Sequence, residues 1–137
     1  MRVGRPVAAA AVLVLLAGCG NPQADKDRTA EQLAATLAAS LSNGTTDGVR
    51  IRSGDPEKDL PAILQGMDGL LPVVTVKDVR HAAGSAFVDL TYAWPLSAPW
   101  TYTTEALIVE RGKHWELHWK PDVVHPKLTE NNRLQRV

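Results

Sequence analysis

The sequence predicts an α+β domain in which N-terminal helices pack on a curved antiparallel sheet of about four strands. Three observations predict it: an apolar stripe at helical spacing between Ala30 and Leu41, a change to period-two alternation from Val73 onward, and hairpin-length connections between the later runs. The helix stripe and the one-sided sheet have only each other to bury against, which is the physical origin of the layered arrangement. A chain of 137 residues, 45% hydrophobic and 22% charged, supplies one core.

The stretch RTAEQLAATLAASLSNG places Ala30, Leu33, Ala34, Leu37, Ala38 and Leu41 three and four apart, on one face of a helix. Thr29 followed by Gln32 forms a capping-box pattern, and Gly44 is placed to end the helix. Between Thr45 and Leu71 turn residues recur every few positions. They leave room for an extended piece at 49–52 and a short helix starting near Asp59 or Leu60, with Pro61 in its first turn.

Four strands follow: VVTVKDVR, SAFVDLTYAW, WTYTTEALIVE and KHWELHWK, the last two joined by RGK. Short connections imply an antiparallel meander. Ala86, Val88, Leu90, Tyr92 and Trp94 share one face, opposite Phe87, Asp89 and Thr91. On the last strand Trp115, Leu117 and Trp119 point one way, and His114, Glu116, His118 and Lys120 the other.

The first residues have the layout of an export leader: Arg2 and Arg5, an apolar run from about Val7 to Leu16, then small residues before Cys19. The run is too short to span a bilayer comfortably. Leu16, Ala17, Gly18 and Cys19 match the bacterial lipoprotein signal, in which the cysteine is lipidated and the chain is cut just before it. Cys19 is also the sole cysteine, so no disulfide can form within the chain. Two acyl chains at roughly 0.8 kcal/mol per buried CH₂ hold a protein stably on a membrane. The expected organisation is a signal peptide over 1–18, a lipidated tether over 19–27, a folded domain over 28–121 and a linker tail over 122–137. The expected location is extracytoplasmic, on the outer face of the cytoplasmic membrane. Cleavage removes two of 15 basic residues and none of 15 acids, leaving a net charge of about −2. With no basic excess to neutralise phosphates, nucleic-acid binding is disfavoured.

WELHWKPDVVHPKL resembles the closing signature of the nuclear transport factor two-like N-terminal domain found in lipoprotein penicillin-binding proteins of the methicillin-resistance type. The matching places are Trp115, Leu117, Trp119, Pro121, His125, Pro126 and Leu128. Trp94, Pro95, Trp100 and Tyr102 in the preceding YAWPLSAPWTY are also similar to that family. The resemblance implies a cone-shaped, cystatin-like domain without catalytic activity that lifts a peptidoglycan transpeptidase from the membrane in cell-wall synthesis. It implies as partners the outer leaflet and either a penicillin-binding transpeptidase domain or a neighbouring cell-wall enzyme. The tail after the tryptophan strand would then lead toward a further domain. Transpeptidase chemistry needs Ser-x-x-Lys, Ser-x-Asn and Lys-Thr-Gly elements. None of Ser40, Ser42, Ser53, Ser85 and Ser97 has lysine at the third following position, and Lys-Thr-Gly does not occur. The chain is thus either a piece of a longer product or a free-standing relative.

Two constellations invite other readings. His114, Glu116 and His118 alternate on one strand face, a spacing that could offer ligands to zinc; the plainer reading, a solvated outer face, is preferred, and no metal or cofactor is expected. Tyr92, Trp94, Trp100 and Tyr102 could line a pocket at the open end of the cone or simply fill the core. The alternative to the spacer is therefore a free-standing lipoprotein that binds a small molecule or wall fragment in that cone.

Overall fold

The computed structural model describes residues 27–128 and 133–134. The leader, Cys19 and nearly all of the tether lie outside the described residues. The elements are α1 (Ala30–Ser42), β1 (Ile51–Ser53), α2 (Pro56–Leu64), β2 (Val73–Ala82), β3 (Ser85–Trp94), β4 (Trp100–Arg111), β5 (His114–His118) and a single 3₁₀ turn at Pro121–Val123.

Helix α1 begins as the sequence dictates. The Gln32 amide donates to Thr29 Oγ1 and the Thr29 amide to Gln32 Oε1, both at 3.0 Å, so the capping box is closed in both directions. At the other end Gly44 takes φ +75° and its amide bonds the Leu41 carbonyl, which stops the helix. Every stripe residue, Ala30 through Leu41, is buried. The helix lies across the inner face of the sheet, touching β2, β3 and β5. Ala86, Val88 and Leu90 of β3 and Ala106 and Ile108 of β4 share one core with its stripe, all at most 1% exposed. Each buried leucine of the stripe contributes about 2 kcal/mol through area removed from water. The Ser42 hydroxyl receives the Val74 amide at 2.8 Å and pins the helix end to β2.

The four expected strands form the antiparallel meander β2–β3–β4–β5, with Tyr92 opposite Tyr102 and Trp94 opposite Trp100. The sheet nevertheless has five strands, in the order β1-β5-β4-β3-β2. The extra member, β1, runs parallel to β5, with Ile51 beside Leu117 and Ser53 beside His118. Three residues are too few to show an alternation, and their partner lies far along the chain, so the sheet membership of 51–53 was not readable locally.

Helix α2 starts at Pro56, earlier than the Asp59 or Leu60 expected, because Asp55 caps it and Pro56 occupies the first turn. Pro61 sits inside the helix. Missing an amide, Pro61 can also begin a helix, which is why the later start looked natural from the sequence.

The join between β1 and α2 depends on Gly54. Its φ is +90°, and a Cβ there would lie 2.5 Å from the Trp119 carbonyl oxygen and 2.8 Å from Trp119 Cβ. The Trp119 amide donates to the Ser53 carbonyl at 2.9 Å, so neither strand can withdraw without breaking that bond. Gly54→Ala is therefore expected to cost about 3 kcal/mol, combining left-handed backbone strain with displacement of Trp119. Gly69→Ala, at φ +82° with nothing within 4 Å of the added Cβ, is expected to cost about 1 kcal/mol. Urea unfolding midpoints of the two variants check the difference.

Candidate functional site

Tyr92, Trp94, Trp100 and Tyr102 gather at one end of the sheet, where the chain leaves β5 and turns back over the inner face. Tyr92 and Tyr102, opposite each other in the register, stack with centroids 5.2 Å apart and planes 11° from parallel. Trp94 is buried beside Trp100, at 6.4 Å and 25°. Of the four aromatics, Tyr92 and Trp94 are 1% exposed, whereas Trp100 and Tyr102 are half-buried. Tyr92 and Trp94 are therefore members of the core, with Trp100 and Tyr102 packed against it.

These rings carry polar atoms, and burial obliges each to find a partner. The Tyr92 hydroxyl donates to the Val123 carbonyl at 2.8 Å, and the Thr104 hydroxyl donates to the same carbonyl at 2.9 Å. The Tyr102 hydroxyl donates to the Val124 carbonyl at 2.8 Å while accepting Trp94 Nε1–H at 2.9 Å. Burial holds the Tyr102 phenol in its neutral form, its pKa pushed up to about 12 despite the opposing indole bond. Burial, with the Tyr102 phenol adding to it, pushes Tyr92 well above the ordinary tyrosine value. Both hydroxyls are therefore donors at any pH the domain meets. A 3₁₀ turn leaves its last carbonyls unbonded, and these three hydroxyls satisfy them.

The segment after the sheet, expected as a linker from 122 onward, is part of the fold at the positions described. Val123 and Val124 are 1% exposed, Leu128 8% and Leu134 6%, and the Leu134 amide bonds the Ile63 carbonyl of α2 at 3.0 Å. An apolar pair followed by Leu128 brings the chain back, and the Tyr92 and Thr104 hydroxyls meet its Val123 carbonyl. Thr104 was missed from the sequence. The signal was present: a lone hydroxyl alternating with Ala106 and Ile108 on an inner face demands an acceptor.

The signature positions each have a local task. Trp119 is 3% exposed and donates Nε1–H to Asp59 Oδ2 at 2.9 Å, tying β5 to α2. Trp115 is 7% exposed, receives the edge of His81 at 6.4 Å, and its amide bonds the Asp27 carbonyl. Asp27, itself buried, also pairs with Arg50. Pro121 opens the 3₁₀ turn. His125 packs on Trp100 and Tyr102 at 5.5 and 4.6 Å, and its Nδ1 accepts the Lys127 amide at 3.1 Å. Pro126 is exposed beside it, and Leu128 seals the turn with its amide on the His125 carbonyl. An open groove of about 530 Å³ runs between the start of α2 and this segment, walled by Asp55, Lys58, Asp59, Trp119, Lys120 and Asp122 among others.

The histidine face divides. His114 Nε2 lies 3.2 Å from Glu116 Oε2, whereas His118 Nδ1 is 2.6 Å from Ser53 Oγ across the β1–β5 pair. Among the described residues no group of three or more His, Cys, Asp or Glu side chains is arranged to hold a metal ion.

A family model described as the NTF2-like N-terminal transpeptidase domain matches residues 25–132. The chain belongs to that family. No curated protein matches it. The family match extends past residue 121 through the packed segment, in agreement with the burial of Val123, Val124 and Leu128. An N-terminal transpeptidase domain of this kind is not the catalytic transpeptidase domain, and its polar groups here serve the fold: the phenols are neutral and turned onto backbone carbonyls.

Desolvation, with Lys127 adding to it, lowers the pKa of His125 below the ordinary histidine value. A histidine whose folded pKa is depressed favours the folded state only while neutral. Its share of stability is present above the unfolded pKa and is lost as the pH falls from there through the depressed folded value. The melting temperature of this N-terminal transpeptidase domain is accordingly expected to fall between pH 7.5 and 5. The fall should be measurably shallower in His125→Gln, compared by thermal scans in matched buffers.

Proposed function

We infer that the domain is a non-catalytic, membrane-anchored spacer that positions a penicillin-binding transpeptidase in cell-wall synthesis, whether that enzyme follows in the same polypeptide or is a neighbour. The observation that carries this reading is the use of the Tyr92, Tyr102 and Thr104 hydroxyls to fasten the outgoing chain, together with membership of a family of N-terminal transpeptidase domains. A spacer needs a stiff body, one end tied to a surface and the other presenting a defined exit. The continuous core of helix stripe and sheet supplies the body. Cys19, in a lipoprotein-type leader, supplies the anchor on the outer face of the cytoplasmic membrane. No helix among the described residues is long and apolar enough to cross a membrane.

Two measurements test the reading. The wild-type chain should fractionate with membranes and incorporate labelled fatty acid, and Cys19→Ala should move to the soluble fraction without label. Continued membrane association of Cys19→Ala would remove the anchor from the proposal. Crosslinking in cells treated with fluorescent penicillin should join the domain to a penicillin-labelled polypeptide, with no label acylating residues 27–134 themselves. Acylation within that span would overturn the non-catalytic role.

A further inference from the structure

Several connections meet at the end of the sheet where the chain enters the fold. The Asp27 carbonyl takes the Trp115 amide at 2.8 Å and the Asp27 carboxylate pairs with Arg50, so the entry point is held at the start of β5. The β2–β3 turn at 83–84 and the β4–β5 turn at 112–113 lie at this same end, and the Gly84 carbonyl receives the Glu110 amide at 3.0 Å. Helix α1 also begins here, with Glu31 against His81. The opposite end holds Trp94 beside Trp100, the close of β5 and the start of α2. Charge divides between the two ends. Arg28, Arg111 and Lys113 are exposed around the entry point and the two turns, against Glu31 and Glu110, while Arg50 and Asp27 neutralise each other. Glu116, further along β5, is only 19% exposed and faces His114. At the far end the balance is reversed, with Asp55, Glu57, Asp59 and Asp122 against Lys58 and Lys120.

We propose that the entry end is a lipid-contacting surface: Arg28 and the two hairpin turns rest on anionic head groups, so that the domain stands on the bilayer with its exit end outward. The proposal rests on the lipid-anchor reading and adds to it which end faces down. Asp27 follows Cys19 by eight residues, a length that spans at most about 28 Å when fully extended. A folded body of about 100 residues has a radius of gyration of about 13 Å, so that reach keeps the domain at the membrane without deciding its stance. Charge decides it. Each basic residue near an anionic surface favours the contact about fivefold, and the attraction fades beyond a Debye length of about 8 Å. Three such residues at one end and a carboxylate surplus at the other favour one orientation over its reverse. Ala82, Ala83, Gly84 and Gly112 are exposed and small, so the turns carry no bulk that would hold Arg111 and Lys113 away from the head groups. The contact orients a tethered domain and does not replace the anchor.

Vesicle measurements on the full lipidated chain test this, with a fluorophore on one introduced thiol, because a lipidated Cys19 leaves no other free thiol in the chain. Ala83→Cys reports from the β2–β3 turn and Ser97→Cys from the loop between β3 and β4 at the far end, both exposed positions. With energy-transfer acceptors on the head groups and about 30% phosphatidylglycerol in phosphatidylcholine, transfer from position 83 should clearly exceed transfer from position 97. The excess should shrink in pure phosphatidylcholine, in about 0.5 M salt, and in the Arg111→Glu, Lys113→Glu double variant. Lys113→Glu alone changes one exposed turn residue and decides the matter if the double variant loses its fold. It should lower the oriented population by about fivefold or more. Equal transfer from the two positions, greater transfer from 97, or a difference indifferent to salt and to charge reversal overturns the surface. A chain that washes off both kinds of vesicle removes the anchor and this surface with it. An anchored chain with no preferred end defeats the surface alone.

Discussion

Burial of the α1 leucine stripe in one core with the inner face of the sheet is the interaction on which everything else rests. Leu33, Leu37, Val88, Leu90 and Ile108 are entirely removed from water. No disulfide among the described residues supplements them, so apolar area is the main force holding helix to sheet. Once that layer is set, the inner face beyond it is committed as well. Alternation carries the same face outward to Tyr92, Trp94 and Thr104, past the reach of the helix, and those residues need a cover of their own. The returning C-terminal segment is that cover.

This division explains why the polar groups gather where they do. Under α1 the inner face is hydrocarbon and needs no hydrogen bonds. At the far end the side chains are larger and carry donors, and the matching acceptors are backbone carbonyls released by a 3₁₀ turn. The histidine-bearing outer face, by contrast, is engaged in pairwise contacts: His118 with Ser53, His114 with Glu116, and Arg80 with Asp89 and Glu105. Arg80 also lies 5.3 Å over the Phe87 ring. These exposed pairs are individually weak and keep the outer face wet and well spaced. A domain with its donors turned inward onto its own backbone is suited to holding a shape.

Much of the architecture was legible because it is periodic. The helix stripe, the capping box, the Gly44 stop and the four meander strands each announce themselves within a dozen residues. The misreadings share a cause: they concern relations between distant parts of the chain. Ile51 to Ser53 become a strand only because β5 lies alongside, and no local pattern in IRS declares it. The segment from Asp122 looked like a linker because proline and polar residues interrupt it, whereas Val123, Val124 and Leu128 are buried in the core. Asp59 is an ordinary helix-surface acid until Trp119 is placed 60 residues away in sequence beside it. The signature tryptophans were visible from the outset; what they bond to was not.

The parallel seat of β1 beside β5 has a consequence for how such a domain comes into being. Ser53 and His118 are 65 residues apart, so this edge of the sheet is filled by a segment made early that must wait for one made late. As the polypeptide emerges from its N-terminus, α1 and the meander can assemble in order, while residues 51–64 remain undocked until the last tryptophan strand arrives. An intermediate paused before that moment presents β4 as a bare border able to recruit neighbouring molecules. Completion, and with it protection from clumping, waits on β5 and the segment that packs after it.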